Sequence, residues 1–146
     1  MTKKRTGEPW MPAREYGPTL IGLSVNLIVR DPRRSLPFYT EVLGFRALYS
    51  DVDFAALERD GMRLMLHADH AYDGVPWIDR VAGAAKRGSG AEIRILGVDP
   101  DRAAALAREH GYHVLYGPLT KAHGWREVHL EDPDGYIFAV GVATTD

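Results

Sequence analysis

The sequence contains no cysteine among its 146 residues. A disulfide, a thiol nucleophile and a cysteine-ligated zinc site are therefore excluded. Long apolar runs are also missing, since no stretch approaches the roughly 18 apolar residues that a membrane-spanning helix needs. Lysine and arginine together number 18 against 20 aspartate and glutamate residues, which gives a net charge of −2. This balance gives no electrostatic reason to expect nucleic acid or an anionic membrane as a partner.

Several enzyme and targeting signatures are absent as well. There is no G-x-S-x-G nucleophile elbow, and glycines 83, 88 and 90 do not form a phosphate-binding loop. The basic residues 3–5 are not followed by an apolar segment, so we expect no secretory signal and a cytoplasmic protein. The apolar share of 45% and the charged share of 26% are ordinary for a globular domain.

What the chain does contain is an internal repeat. The segment GFRALY at 44–49 returns as GYHVLY at 111–116, and DGMRLML at 60–66 is echoed by DGYIFAV at 134–140. An Asp-Pro step precedes both copies, at Asp31 and again at Asp99. A period near half the chain is too long for a solenoid, so it predicts two copies of one supersecondary module with a surface between them where a ligand can bind.

Each copy is predicted to be a βαβββ module. Alternating apolar residues predict strands over 20–30, 45–49, 54–58 and 62–67, and then over 91–98, 112–116, 125–131 and 136–142. Helical spacing predicts helices over 33–43 and 101–110, each started by its Asp-Pro step and ended by a glycine.

These elements define the predicted organisation of the chain. An N-terminal arm occupies residues 1–19 and a single domain occupies 20–142. The domain divides into module one (20–67), an inter-module loop (68–90) and module two (91–142). The loop is long enough to suggest a function, and Trp77, Ile78 and Val81 predict a short helix within it.

Two stretches resemble the signatures of a known family. They read VNLIVRDPRRSLPFYTEVLGF at 25–45 and WREVHLEDPDGYIFAVG at 125–141. They resemble the vicinal oxygen chelate superfamily of glyoxalase I, extradiol dioxygenases, and fosfomycin- and bleomycin-resistance proteins, and the step beginning at Trp125 is most similar to bleomycin-resistance-like members. Over about residues 20–142, the resemblance implies an α+β fold. In that fold two βαβββ modules form a cupped mixed β-sheet with helices on the outer face, often in a homodimer.

The resemblance also indicates where a metal ion would be held. In metal-dependent members, the first and last strands of each module supply one ligand each. The matching positions here are Ser24, Met65, Glu92 and Ala139. Only Glu92 is a competent ligand for a hard or borderline cation. We therefore expect no metal cofactor at the usual place.

Strand alternation predicts what lines the cup instead. The side chains opposite the apolar face are polar, aromatic or sulfur-containing, and those predicted to bind ligand are Asn26, Arg63, Met65, His67, Glu92, Arg94, Trp125, Glu127 and His129. Two alternatives stay open. His67, Glu92, Glu127 and His129 can make a displaced metal site for Zn, Fe, Mn or Ni. The arginines can also pair with the glutamates and close the cup themselves.

The leading hypothesis is a metal-free small-molecule-binding protein without assigned catalytic residues. In it, Arg63, Arg94, Glu127 and His129 orient an organic ligand, and Trp125 stacks on it. The arm or the loop 68–90 covers the site. A metal-dependent lyase or isomerase of glyoxalase type, using the displaced metal site, is the first alternative. An accessory domain whose cup is closed by ion pairs is the second.

Overall fold

The computed structural model describes residues 1–144, which form two four-stranded sheets. The chain divides into two compact units, and each is described separately below. Unit one comprises Met1–Leu36 and Phe45–Gly83. Unit two comprises Pro37–Gly44 and the chain from Ala84 onward. The α+β fold with two strand-helix-strand-strand-strand modules is confirmed.

The sheet of unit one has the strand order β1-β4-β3-β2. Its strands are β1 (Val25–Val29), β2 (Arg46–Ser50), β3 (Phe54–Arg59) and β4 (Met62–Ala68). Strand β1 runs parallel to β4, and the other pairs are antiparallel. One face buries Leu27, Val29, Leu57 and Leu66. The opposite face, with Asn26, Met65 and His67, is the face under the arm.

Short helices complete unit one. In the arm, α1 (Ala13–Tyr16) is followed by a 3₁₀ turn at Gly17–Thr19. After β4 come a 3₁₀ turn at Asp69–Tyr72 and the short helix α3 (Asp79–Ala82), which lies in the predicted part of the loop.

The sheet of unit two repeats this arrangement with the order β5-β8-β7-β6. Its strands are β5 (Glu92–Leu96), β6 (His113–Thr120), β7 (Trp125–Glu131) and β8 (Ile137–Ala143). Helix α4 (Pro100–Glu109) begins as predicted: the Asp99 carboxylate accepts hydrogen bonds from the amides of Asp101 and Arg102. Its buried alanines pack on this sheet.

Residues 37–44 come from the first module but belong to unit two. Helix α2 (Pro32–Pro37) continues as a π-helical turn at Phe38–Val42. Phe38 and Tyr39 are fully buried and pack edge-on against Phe138 and Tyr112. The core of unit two is therefore built partly by the end of this helix.

Three predicted boundaries were wrong by more than two residues. Strand β1 starts at Val25 rather than at residue 20, because Gly22 adopts a positive φ of 69° and breaks the extended chain, leaving Leu23 92% exposed. The helix predicted over 33–43 widens after Pro37, which lacks the amide proton for a regular α-helical bond. Strand β6 runs past residue 116 to Thr120 through two register shifts. No helix among residues 1–144 is long and apolar enough to cross a membrane.

Candidate functional site

Unit one contains a cavity of about 540 Å³ between the arm and the sheet. We call it the arm cavity. Phe54, Met65 and His67 line it from the sheet, and Ala71 lies beside them. The side chains from the arm and its junction are mostly apolar, and they include Pro9, Met11, Pro12, Tyr16 and Leu20. The size and the mainly apolar lining are those of a small-molecule site.

Strand register explains why these side chains share one face. Met65 lies opposite Asn26 on β1 and Ala56 on β3, and the next rung of that face pairs Ile28, His67 and Phe54. Because alternate residues of a strand point to the same side, Met65 and His67 are neighbours under the arm. The rings of His67 and Phe54 stack with centroids 5.4 Å apart.

The arm is held in place by one buried carboxylate, Asp53, which is 2% exposed. Its oxygens accept hydrogen bonds from the backbone amide of Lys4 at 2.7 Å and from that of Arg5 at 3.3 Å. They also accept from Arg5 Nη1 at 3.2 Å and from His70 Nε2 at 2.8 Å. Burial alone would raise the pKa of Asp53, but the bonds from His70, Lys4 and Arg5 outweigh it and hold the pKa below its usual value.

Aromatic packing adds a second attachment of the arm. Trp10 stacks on Tyr49 with ring centroids 5.6 Å apart. It also packs edge-on with Tyr16, with ring centroids 5.2 Å apart. Tyr49 Oη donates to Asp51 Oδ2 at 2.7 Å, which fixes the lower ring of the stack. Trp10 therefore packs the arm onto the sheet.

His67 is the polar group that the cavity presents from the sheet. Its Nδ1 lies 2.6 Å from Asn26 Oδ1, and the amide nitrogen of Asn26 donates to Tyr72 Oη. That second bond fixes the Asn26 oxygen as an acceptor, so the proton of His67 sits on Nδ1. Burial lowers the pKa of His67, with Asp51 opposing weakly, so the ring is neutral near pH 7.

Unit two presents a different set on the equivalent face, which we call the charged cluster: Glu92, Arg94, Trp125, Glu127 and His129. Arg94 Nη1 donates to Glu92 Oε1 at 2.8 Å, and its Nη2 donates to Glu127 Oε2 at 3.3 Å. The Arg94 guanidinium also lies 4.5 Å from the centre of the Trp125 ring. These five side chains therefore provide most of one another's hydrogen-bonding and charge partners.

Glu127 is the centre of that cluster and is 2% exposed. His129 Nε2 lies 3.2 Å from one carboxylate oxygen, and His123 Nε2 lies 3.5 Å from the other. Burial would raise the pKa of Glu127, but the hydrogen bond from His129 and the charge of Arg94 lower it below its usual value. The carboxylate is ionised and fully engaged.

Of the nine residues predicted to bind ligand, three belong to the arm cavity or its edge, five belong to the charged cluster, and Arg63 belongs to neither. Met65 and His67 line the arm cavity and Asn26 orients His67, whereas Arg63 lies opposite Glu58 on β3 and does not line it. The other five form the charged cluster. Sequence reasoning missed Arg5, Tyr16 and Asp53 as site residues, because neither the arm nor a turn aspartate shows a periodic signal.

Three of the four residues at the family's metal positions do not suit a metal ion, and Glu92 is the exception. Ala139 is fully buried, Met65 offers a thioether to the arm cavity, and the buried Ser24 hydroxyl has no hydrogen-bond partner among residues 1–144. In that part of the chain, no three His, Asp or Glu side chains are grouped to hold a metal ion. Of the displaced set, Glu127 contacts His129 in unit two, and Arg94 lies between Glu92 and Glu127.

Comparison with known proteins identifies the family. Residues 23–140 match the family model described as the Glyoxalase/Bleomycin resistance protein/Dioxygenase superfamily. The chain therefore belongs to this superfamily, the vicinal oxygen chelate group that the sequence resembled. A comparison with curated proteins finds no match.

Solved structures show the same fold. A glyoxalase/bleomycin resistance protein/dioxygenase family enzyme from Burkholderia phytofirmans PsJN is similar with a TM-score of 0.68 and 21% identity, over 82% of this chain and 96% of the other. A protein of unknown function from Agrobacterium tumefaciens str. C58 has a TM-score of 0.67 and 24% identity, over 85% and 94%. A virulence protein from Salmonella typhimurium has a TM-score of 0.59 and 22% identity, over 86% and 99%.

Proposed function

We propose that this protein is a metal-free small-molecule-binding member of its superfamily, and that the ligand occupies the arm cavity. The observation that carries the proposal is a cavity of about 540 Å³ in unit one, covered by the arm and lined mainly by apolar side chains. Of the predicted ligand-binding residues, Met65 and His67 lie in its wall. The arm is the lid in this proposal.

The charged cluster has a different role in the proposal. Its arginine is paired with two glutamates and covers the face of Trp125. A ligand stacking on that ring would have to displace Arg94. We therefore move the predicted ligand contact from Trp125 to the arm cavity and assign the cluster to the stability of unit two.

The oligomeric state and the location of the protein are proposals as well. We propose a homodimer, which is typical of the superfamily, and a cytoplasmic location. Light scattering on the purified protein measures the first. Similarity to bleomycin-resistance members in particular stays a prediction from the Trp125-Arg126-Glu127 step.

The test uses the uncharged dye N-phenyl-1-naphthylamine, whose fluorescence rises in apolar pockets. The wild-type chain should bind it saturably with one site per chain. Met65→Trp should weaken binding by narrowing the cavity, while Trp125→Ala serves as the matched control and should bind as the wild type does. Loss of binding in Trp125→Ala with retention in Met65→Trp would place the ligand on the charged cluster. No saturable binding at all would overturn the proposal.

Metal analysis distinguishes this proposal from a glyoxalase-type metal enzyme. We expect metal content far below one ion per chain after purification without a tag or chelator. Stoichiometric Zn, Ni, Fe or Mn would contradict the metal-free assignment.

A further inference from the structure

The polar groups inside the arm cavity restrict the chemistry of its ligand. We infer that the ligand is an uncharged, largely apolar molecule that donates a hydrogen bond from a hydroxyl or N–H group to Nε2 of His67. The inference rests on the proposed function and names the class of molecule that the same cavity takes.

The charged side chains that reach the arm cavity either have partners already or lie in water. Arg5 reaches the cavity, but its guanidinium lies 3.2 Å from Asp53 and 3.9 Å from Asp51, so its charge is already paired. Asp53 in turn accepts four hydrogen bonds from the arm and His70. Nε of Arg5, which has no hydrogen-bond partner in the described part of the chain, is buried, and the oxygens of Asp53 are taken, so neither group is open to a ligand. The other charged lining residues, Lys3, Glu8 and Arg14, are exposed to water at the rim.

A charged ligand would therefore enter without a partner. Removing an ion from water costs several kcal/mol unless a counter-charge compensates it inside the protein. His67 cannot supply that charge near pH 7, since burial lowers its pKa. The described part of the cavity wall thus favours neutral molecules over anions and cations of the same size.

One ring nitrogen of His67 is available for a hydrogen bond from a ligand. His67 uses Nδ1 to donate to Asn26, and its Nε2 has no hydrogen-bond partner among residues 1–144. Protein atoms do not fully enclose Nε2, so it is open to a ligand in the cavity. In the Nδ1-protonated tautomer, Nε2 only accepts hydrogen bonds. A ligand gains this bond only when it carries a donor.

The cavity wall around His67 favours flat ligands. Phe54 stacks on the His67 ring, and Met65 lies on the neighbouring rung of the same face. Flat apolar surfaces suit such a wall, because aromatic rings and a flexible thioether make large contact areas. A two-ring aromatic carrying one hydroxyl combines these requirements.

The experiment compares four naphthalene probes on the full wild-type chain at pH 7 by isothermal titration calorimetry. They are 1-naphthol, 1-methoxynaphthalene, 1-naphthoate and 1-naphthylmethylammonium. We expect 1-naphthol to bind best and the methoxy compound, which has the ring but no donor, to bind about tenfold more weakly. Both ions should bind more weakly than 1-naphthol by at least about tenfold.

Two variants assign the preference to His67. His67→Phe should bind 1-naphthol and 1-methoxynaphthalene equally, and Glu92→Gln in unit two should keep the wild-type preference. If His67→Phe does not fold, the four probes on the wild-type chain still decide the matter.

Equal binding of 1-naphthol and its methyl ether, or strongest binding of an ion, overturns the ligand class while leaving the proposed cavity intact. If no probe binds saturably and N-phenyl-1-naphthylamine fails as well, the proposed function itself is wrong.

Discussion

Asp53→Asn should loosen the arm without unfolding the sheet beneath it. The substitution keeps the shape of the side chain and one acceptor oxygen, which can still take the bonds from Lys4 and His70. The other oxygen becomes an NH₂ group, and it then faces the amide and guanidinium donors of Arg5. Two hydrogen bonds are lost, and both are charge-assisted because an ionised carboxylate accepts them.

The magnitude follows from those two bonds. A hydrogen bond to a charged group contributes about 1.5–3 kcal/mol, so the loss of both should weaken arm docking by about 3–6 kcal/mol. Since about 1.4 kcal/mol corresponds to a factor of ten, protection of the arm amides should fall by about 100- to 20,000-fold, limited by the protection in the wild type.

Native-state hydrogen exchange of the amides of Lys4 and Arg5 measures the effect directly, because both donate to Asp53. Amides of β3 should keep their wild-type exchange. Glu58→Gln is the control, since it removes a carboxylate that binds Arg46 at the surface, away from the arm. Equal exchange of the arm amides in Asp53→Asn and wild type would refute the idea that this carboxylate holds the arm.

Three further outcomes are expected. Burial raises the pKa of Asp132 to about 6, so its ionisation destabilises the folded chain as pH rises through that value. Stability should fall by up to about 3 kcal/mol between pH 4 and 7 from this group, and urea unfolding of Asp132→Asn should lack that component. Glu127→Gln should lower the melting temperature more than Glu92→Gln, because Glu127 is buried with three partners and Glu92 is exposed; equal shifts would contradict this. Tyr16→Phe should slow amide exchange in the arm, because the buried hydroxyl has no partner among residues 1–144 and costs about 1–3 kcal/mol; faster exchange would show a missed bond.

Much of the fold could be predicted because its signals are local. Alternation located β7 without error, and the Asp-Pro step at residue 99 located the start of α4 within a residue. The start of β1 and the π-helical turn after Pro37 depend on Gly22 and on packing in unit two, which no pattern of apolar residues encodes.

The candidate site was predictable only where it lies on strands. Period-two alternation put Met65 and His67 on one face and Glu127 beside His129. In the structure, His129 Nε2 lies 3.2 Å from Glu127 Oε1. The arm cavity could not be predicted, because its closure depends on contacts such as Lys4 to Asp53, 49 residues apart in sequence. Such contacts leave no periodic signal in either segment.

The two modules treat equivalent faces in opposite ways. In unit two, the polar side chains neutralise one another, and Ala139 between Arg94 and His129 leaves room for the pairing. In unit one, the corresponding Met65 carries no charge, so this face is covered by the arm, with a cavity left beneath it. An internally paired face offers little to a ligand, since each ion that a ligand contacts must first give up its partner. Binding should therefore respond to changes at Met65, and stability to changes at Glu127, even though the two residues arise from copies of one repeat.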